Sequence, residues 1–183
     1  TGNNTQALAD MSSVNGLNTI SNSYGSFIIG QYNDTTQFYT RNVWIESEPL
    51  FVAGNGVKEN LRHNAMILYK NGDLWLAGAL VEPSDQRLKK NIRPISNVLS
   101  GIKQITPVTF DYITDKGLPS GRQIGFLAQE VAVPFPELVR EDANSYMSVD
   151  YVKMTTILLE AVKEQQETIE QLKLEIENLK NEI

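Results

Sequence analysis

Ser84 and Lys89 are the two residues whose types and spacing could together carry out covalent chemistry. They lie at the ends of the hexapeptide SDQRLK, directly after Glu82-Pro83. A serine hydroxyl becomes a useful nucleophile when a base removes its proton, and an uncharged lysine amine is one such base. A serine before a charged run is also a common helix cap. The hexapeptide alone therefore indicates either a nucleophile with its base or the start of a charged surface helix.

The five-residue spacing restricts how Ser84 and Lys89 could meet. In a regular helix, residues five apart point about 140° away from each other, at roughly 100° per residue. Either the chain is bent, with Ser84 in a loop before the helix, or Lys89 comes from a neighbouring chain. Pro83 favours the bent form, because a proline biases the residue before it away from helix.

The composition is that of an ordinary globular chain and excludes several kinds of chemistry. The 183 residues include no cysteine and one histidine, His63, so disulfides, thiolate sites and multi-histidine metal centres are excluded. We expect His63 on the surface, and no metal or cofactor. The net charge is -6, with 4 basic and 7 acidic residues in 1–83 and 12 and 15 in 84–183. Neither half is positive, as a nucleic-acid binder would be, and no apolar run is long enough to insert in a membrane.

Residues 1–83 have the composition of short strands and turns. Three runs rich in aromatic and β-branched residues predict strands. These runs lie at 26–30, 38–45 and 50–52. Gly54-Asn55-Gly56 and Asn71-Gly72 are turn signals, and the second predicts a hairpin of the short apolar runs that flank it. A segment this rich in turns buries a modest core, which pairing with other copies would remedy.

Residues 84–150 have the pattern of a small mixed α/β domain. Apolar residues at three- and four-residue steps predict a helix over 96–104, with Ser96 as its N-cap. Alternating apolar residues predict a strand at 108–112. A returning strand, a short helix and a hairpin are predicted after it. They occupy 123–126, 127–131, and the runs 138–139 and 147–149.

Residues 151–183 predict one long helix capped by Asp150, with a heptad pattern. The a positions are Val162, Ile169, Ile176 and Ile183, and the d positions are Leu158, Gln165, Leu172 and Leu179. The pattern favours a coiled coil, with an amphipathic helix packed on its own domain as the alternative. Ile at a with Leu at d favours two strands, and Gln165 weakens that preference, so the number of chains stays open.

Four motifs in order carry a resemblance to a known family. They are Ser84 to Ile92, Pro107 to Tyr112, Ile124 to Val131, and Phe135 to Val139, followed by Tyr146 to Tyr151 and the terminal helix. Together they resemble the C-terminal intramolecular chaperone of phage endosialidases, tail fibres and neck appendages, the S74 peptidase domain. A similar domain occurs in the myelin regulatory factor family, which also needs a transmembrane helix after the domain, whereas this sequence ends in its heptads.

The resemblance implies a self-cleaving, homotrimeric chaperone. Members of the family trimerise, guide folding of the β-rich segment ahead of them, and cut themselves off before the serine of the SDxRLK motif. By motif match the cleavage site is the Pro83–Ser84 bond, Ser84 is the nucleophile and Lys89 is its base. The enzyme would then be a single-turnover serine peptidase that acts on its own chain. The proline ring restricts the geometry of the attacked carbonyl and is a possible cause of slow cleavage.

Three further residues are candidates for supporting roles. Gln129 could donate to the oxyanion, with a buried glutamine that holds a loop as the alternative. Asp85 is expected to be a cap or a positioning group. Glu130 could pair with a basic residue of the motif or lie on a solvated helix position.

The N-terminal segment has two weaker resemblances. Asn18 to Gly30 resembles the head repeats of trimeric adhesins, and Asn64 to Gly78 resembles the β-rich ends that precede such chaperones in tail fibres. We expect a fibre tip that could contact a host receptor or glycan. Four aromatics are either receptor contacts or packed between chains, namely Tyr24, Tyr32, Tyr39 and Trp44. Glu46 and Glu48 are expected on an exposed strand edge.

These observations predict an α+β fold in three parts. They are a β-rich intertwined tip at 1–83, a chaperone α/β core at 84–150, and a coiled-coil helix at 151–183. The expected function is that of the C-terminal part of a phage tail fibre or tailspike, located in the virion after assembly in the host cytoplasm. A permanent, non-cleaving trimerisation module of a surface adhesin is the alternative.

Overall fold

The computed structural model describes residues 2–113 and 117–181. Contacts divide the chain into two compact units, Thr1–Ser84 with Ile113–Pro119, and Asp85–Tyr112 with Ser120–Ile183. The first unit is built from β-strands, and the second combines short helices, two small sheets and a long C-terminal helix. The mixed class of helices and strands that the sequence predicted is thereby confirmed.

The first unit holds nine strands within its described residues. They are β1 (Gly2–Asn3), β2 (Gln6–Ala7), β3 (Ser13–Val14), β4 (Gly16–Leu17), β5 (Ile20–Ser21), β6 (Phe27–Gln31), β7 (Pro49–Asn55), β8 (Asn64–Tyr69) and β9 (Leu74–Leu76). The main sheet has the order β1-β4-β6-β7-β8-β9, with β3 also paired to β6, and β2 pairs with β5. Pairing is parallel as far as β7, and β8 and β9 follow antiparallel.

The parallel strands repeat with a fixed period. Partners in successive strands lie 14 positions apart, as in Gly2 with Gly16, Gln6 with Ile20, Ser13 with Phe27, and Leu17 with Gln31. Gly16 has a φ of 136°, and a Cβ on it would lie 1.8 Å from the Gly30 oxygen. Gly30 has a φ of 93°, and a Cβ on it would lie 2.2 Å from the Gly54 oxygen. Glycine is therefore required where successive turns of this coil approach each other.

The segment 38–45 is not a strand, so that prediction was wrong. The parallel partner of Phe27 is Phe51, 24 positions further on, so this turn has ten residues more than the 14-residue turns before it. The added residues form a loop whose backbone groups are bound elsewhere. The Thr40 oxygen accepts from the Tyr24 N–H at 3.0 Å, and the Thr40 N–H donates to the Glu48 carboxylate at 2.6 Å. These contacts outweigh the strand propensity of the segment.

The predicted hairpin of β8 and β9 is confirmed, with Gly72 at φ 93° in its turn. Gly54 and Asn55, by contrast, lie within β7 and not in a turn. The buried core of the first unit consists of Val14, Ile28, Val52 and Ile67, with Tyr69 packed against them. This core is small, as expected for so many short strands.

Within its described residues, the second unit contains three α-helices and two hairpin-like sheets. The elements are α1 (Val98–Ile102), β10 (Val108–Phe110), β11 (Gln123–Gly125), α2 (Ala128–Ala132), β12 (Val139–Glu141), β13 (Met147–Val149) and α3 (Tyr151–Asn181), with 3-10 turns at Gln86–Leu88 and Pro136–Leu138. Strands β10 and β11 pair antiparallel, as do β12 and β13. The two strand pairs and the short helix before Pro134 confirm the predicted elements in outline.

The core of the second unit joins its helices. It consists of Val98, Val131, Phe135, Leu138, Met154, Ile157 and Ala161. The first turns of α3 supply the last three of these residues, and Asp150 caps the helix by accepting from the Lys153 N–H at 3.0 Å. The cap predicted at Asp150 is confirmed.

The helix predicted over 96–104 is shorter, and its N-cap is Asn97, not Ser96. Asn97 has a left-handed backbone, with φ 59° and ψ 32°, and its side chain makes no capping hydrogen bond. The helix N–H groups are satisfied by another part of the chain, as the site below shows. A local cap was therefore not needed where the sequence pattern placed one.

Candidate functional site

The SDQRLK segment forms a single 3-10 turn with a local ion pair. Asp85 is the N-cap of the turn, and its carboxylate accepts from the Arg87 N–H at 2.8 Å. The Arg87 guanidinium also bonds this carboxylate, at 2.6 Å through Nη2. Bonds from the Arg87 side chain and then its backbone N–H hold the pKa of the Asp85 carboxyl below its usual value. Asp85 is thus placed where a cap or positioning group was expected.

Ser84 and Lys89 lie on either side of this turn. Ser84 precedes Asp85 in a stretch without regular secondary structure, and Lys89 closes the turn with extended backbone, at φ -112° and ψ 146°. Both residues are exposed. The backbone therefore takes the bent form, with the serine ahead of the helical turn, and not a straight helix from 84 to 89.

Gln129 lies on α2 at the edge of an aromatic groove. The groove has a volume of about 360 Å³, and Phe110, Tyr112, Phe126 and Tyr151 line it with Gln129. Gln129 is exposed, so it is not the buried, loop-holding glutamine that was its alternative. An exposed amide beside an apolar groove is accessible to a bound backbone, and the role of Gln129 as an oxyanion donor stays a prediction.

Tyr151 fixes one wall of the groove, a role that its position in the sequence did not predict. Its hydroxyl oxygen accepts from the Phe126 N–H at 3.2 Å, and the two rings stack with centroids 5.7 Å apart. A Cβ at Gly125 would lie 2.5 Å from the Tyr151 hydroxyl, so glycine is needed there. The succession Gly125-Phe126 just before α2 was the signal that a side chain packs closely on this strand.

Glu130 and Glu164 act as acceptors for backbone N–H groups. Glu130, half-buried on α2, accepts from the Thr106 N–H at 2.8 Å, and its pairing with a basic residue of the motif stays a prediction. Glu164, on α3, accepts from the Val98 and Leu99 N–H groups at 2.9 and 3.0 Å. These bonds, first that from Leu99, lower the pKa of the Glu164 carboxyl. The sequence gave no sign of this distant cap for α1.

The heptad residues of α3 form an exposed apolar stripe. Leu158, Val162, Ile169, Leu172, Ile176 and Leu179 are 46–61% exposed, and Gln165 lies exposed among them. Ile183 lies outside the described residues. Met154, Ile157 and Ala161, on an adjoining side of the helix, are buried in its own unit. Beyond residue 164, every described side chain of the helix is exposed.

A buried ion pair in the first unit overturns the expectation for Glu48. Glu46 is exposed as expected, but Glu48 is 7% exposed. Its carboxylate lies 3.5 Å from the Lys70 ammonium, whose side chain is completely buried. Ser23 Oγ lies within hydrogen-bonding distance of both groups, at 3.1 and 3.0 Å. The sequence predicted an exposed strand edge, whereas Glu48 lies at the end of the loop before β7.

Of the four aromatics considered as receptor contacts, Tyr32 and Trp44 have cationic partners within the first unit. The Arg62 guanidinium lies 5.7 Å from the centre of the Tyr32 ring, and the Lys70 ammonium lies 5.2 Å from that of Trp44. Burial raises the pKa of the Tyr39 hydroxyl to about 12. Trp44 is exposed, and Tyr24, Tyr32 and Tyr39 are half-buried. His63 is exposed and bonds the Asn55 side chain.

Residues 2–113 and 117–181 contain neither a metal-binding cluster nor a membrane-spanning helix. No group of three or more His, Cys, Asp or Glu side chains is arranged to hold a metal ion. None of the helices combines the length and the hydrophobicity that a membrane span requires.

Comparison with known proteins finds a family whose model matches part of this chain. Residues 84–140 match the family model described as chaperone of endosialidase, Peptidase_S74. The chain is 31% identical over 123 residues to a long tail fiber protein, Gp37, of Enterobacteria phage K3, which covers 60% of this chain and 10% of that protein. Identity to Gp37 of Enterobacteria phage T2 is 29% over 123 residues, 60% and 9% of the two chains. The chain thus spans about a tenth of the length of these relatives.

The matched segment begins at Ser84 and contains the four motifs that carried the resemblance. It ends before α3, so the heptads lie outside the match. The resemblance stated from the motifs is confirmed by an independent comparison. Residues 84–140 of this chain are therefore similar to the endosialidase-chaperone family, peptidase S74.

Proposed function

We propose that this chain is the C-terminal part of a phage tail fibre or tailspike, and that residues 84–183 are its intramolecular chaperone. The chaperone brings three copies together and promotes folding of the β-structured residues ahead of it. It then releases itself by cutting the Pro83–Ser84 bond. The observation that carries the proposal is a family domain that begins at Ser84 and leads into a helix with an exposed apolar stripe.

Assembly is supported by the properties of α3. Its 31 residues extend for about 46 Å at 1.5 Å per residue. An isolated helix is marginal in water unless an apolar face is packed. From residue 165 onwards this helix has no cover from its own chain. A coiled coil of several copies would bury the stripe, and the number three comes from the family resemblance.

Cleavage would proceed through an ester. Ser84 Oγ attacks the carbonyl carbon of Pro83, Lys89 accepts the hydroxyl proton, and the carbon–nitrogen bond breaks as the proton passes to the departing Ser84 amine. Water then hydrolyses the ester and restores the hydroxyl. Gln129 is the candidate donor to the oxyanion. Because Ser84 becomes a chain terminus, each chain reacts once.

Assembly would also prepare the base. A lysine accepts a proton only as the uncharged amine, and burial favours that form. Lys89 is exposed in the single chain. We infer that neighbouring copies supply the missing burial, so that cleavage follows assembly. This order would suit a chaperone that must not leave before the fibre has folded.

Intact mass and denaturing gels of the freshly expressed chain test the cleavage. Wild type should give two fragments, 1–83 and 84–183, whereas Ser84→Ala and Lys89→Ala should stay whole. Lys90→Ala is the matched control, since it removes a neighbouring exposed lysine and should be cut like wild type. An uncut wild-type chain that persists for days as a stable oligomer would overturn the peptidase. It would leave the second candidate function, a permanent trimerisation module.

A further inference from the structure

The sheet of β6, β7, β8 and β9 is apolar on both of its faces. Its register aligns Ile28, Val52 and Ile67, which are buried together in the core of the unit. Side chains alternate along each strand, so the residues on either side of this row point to the opposite face. An antiparallel sheet with one solvated face normally carries polar residues there.

The opposite face carries eight apolar side chains and no charge. In register across the four strands, the two rows are Phe27, Phe51, Leu68 and Leu74, and Ile29, Ala53, Met66 and Leu76. The rings of Phe27 and Phe51 lie 5.9 Å apart, as expected of neighbours on one face. Phe27 and Leu74, at the two ends of the first row, are exposed, and the other six are half-buried. We call these eight residues the outer face.

The size of the outer face limits what could cover it. Four strands and two outward residues on each give a patch of about 14 Å by 7 Å between Cα atoms. A stable interface between free partners buries roughly 800 Å² on each, which is several times more. A free protein would therefore bind the outer face weakly. A partner already held nearby needs far less contact, because tethering raises its effective concentration.

We propose that the outer face packs against the same unit of a second copy of this chain. The inference rests on the assembly through α3 that is proposed above, since that assembly supplies the tethering. An uncharged patch of Phe, Leu, Ile and Met has no group that pairs with a charged surface, but it is complementary to itself. Receptor contacts would then lie outside the outer face.

Cysteine labelling of the full-length chain tests the proposal, since the native sequence contains no cysteine. Leu74→Cys places a thiol on the outer face, where Leu74 is 57% exposed in the single chain. Val57→Cys is the matched control, since Val57 is 66% exposed and lies outside the sheet. The rate of reaction with a maleimide is measured for both, alongside the mass in solution by light scattering. Both variants are repeated with Ile169→Asp and Ile176→Asp, which put charge into the stripe.

An oligomer in which Leu74→Cys reacts at least about tenfold more slowly than Val57→Cys, with the difference lost in the Asp variants, supports the proposal. Because the purified sample contains only copies of this chain, slower labelling of Leu74→Cys that depends on assembly would show that another copy covers the outer face. Equal rates in an oligomer would overturn the inference and leave the proposed assembly standing. A monomeric wild type with equal rates would overturn both.

Discussion

Replacing Glu48 with Gln should destabilise the first unit more than any other neutralisation of a single charge in it. The substitution keeps an oxygen that accepts from the Thr40 N–H, now 2.6 Å away, but removes the negative charge beside the buried Lys70 ammonium. Among the described residues, Glu48 is the carboxylate within ion-pair distance of Lys70. The variant therefore leaves a positive charge in the interior without its partner.

The magnitude follows from burial and geometry. Breaking a buried pair by removing one partner costs about 3–5 kcal/mol. The lower end applies here, because Lys70 keeps the Ser23 hydroxyl at 3.0 Å and the face of the Trp44 ring at 5.2 Å. We expect a loss of about 3 kcal/mol, or about two powers of ten in the folding equilibrium. Adding Lys70→Met to Glu48→Gln should recover much of this loss, because no buried charge then remains.

Urea unfolding followed by tryptophan emission is the appropriate assay. Both tryptophans of the chain, Trp44 and Trp75, lie in the first unit, so the signal reports on that unit. All variants must be compared at one protein concentration, because assembly adds to apparent stability. Glu46→Gln is the matched control, since Glu46 is exposed and two residues away. If Glu48→Gln lowers the stability no more than Glu46→Gln, the argument from the buried pair is refuted.

The same carboxylate predicts a dependence on pH. Burial alone would raise the pKa of Glu48, but hydrogen bonds from Thr40 and Ser23 and the charge of Lys70 outweigh it, so the pKa lies below its ordinary value of 4.5. A lowered pKa in the folded state contributes stability above the unfolded value, and this contribution is lost as the pH falls through the folded value. The stability difference between wild type and Glu48→Gln should therefore be constant at neutral pH and shrink below about pH 4.5. A difference that grows towards acid would contradict this reasoning.

Two further substitutions test other contacts. Glu164→Ala should speed hydrogen exchange of the Val98 and Leu99 amides, because it removes their acceptor. Glu177→Ala, on the exposed end of α3, is the control and should leave that exchange unchanged. If the two variants exchange equally, α1 needs no such cap. Gly30→Ala should prevent the first unit from folding, as judged by soluble yield and urea unfolding, because its Cβ would meet the Gly54 oxygen at 2.2 Å. Gly72 has the same φ of 93° with open space around it. Gly72→Ala should therefore lower the free energy of unfolding by about 1–2 kcal/mol and still fold. Equal behaviour of the two glycine variants would refute the steric argument.

Elements that depend on short-range patterns were predicted well. The long helix α3, its Asp150 cap and the hairpin at Asn71-Gly72 all follow from spacing within one or two turns of chain, whereas the coiled coil stays a prediction. The SDQRLK motif and the three motifs that follow it were enough to recognise the family resemblance, which the match to residues 84–140 confirms. The roles of Ser84 and Lys89 in cleavage remain predictions from that resemblance. The placement of the two residues on either side of a 3-10 turn required the structure.

The sequence also contains a short internal repeat with a period of 14 residues. Gly-x-Asn-Thr occurs at 2–5 and again at 16–19, and Gly30 begins a third, altered copy. The 14-residue spacing corresponds to the parallel turns of the first unit. A search for internal repeats would have predicted the coil and, with it, the loop character of 38–45. In the longer turn, residues 38–45 have no neighbouring strand with which to pair. Their strand propensity therefore does not produce a strand.

The sequence by itself determined the long helix, the short helix before Pro134 and the hairpin strands, because periodicity and turn residues act over a few positions. It did not predict the short strands β1–β5 or the loop at 38–45. Only the tertiary structure decided which polar groups are buried and what satisfies them. Glu46 and Glu48 are equivalent in the sequence, and the return of the chain at Lys70, 22 residues on, makes one of them internal. The first turn of α1 has a plausible cap at Ser96, yet its N–H groups are bound by Glu164, more than sixty residues away. Such pairings depend on where the folded chain meets itself, and no local pattern carries that information.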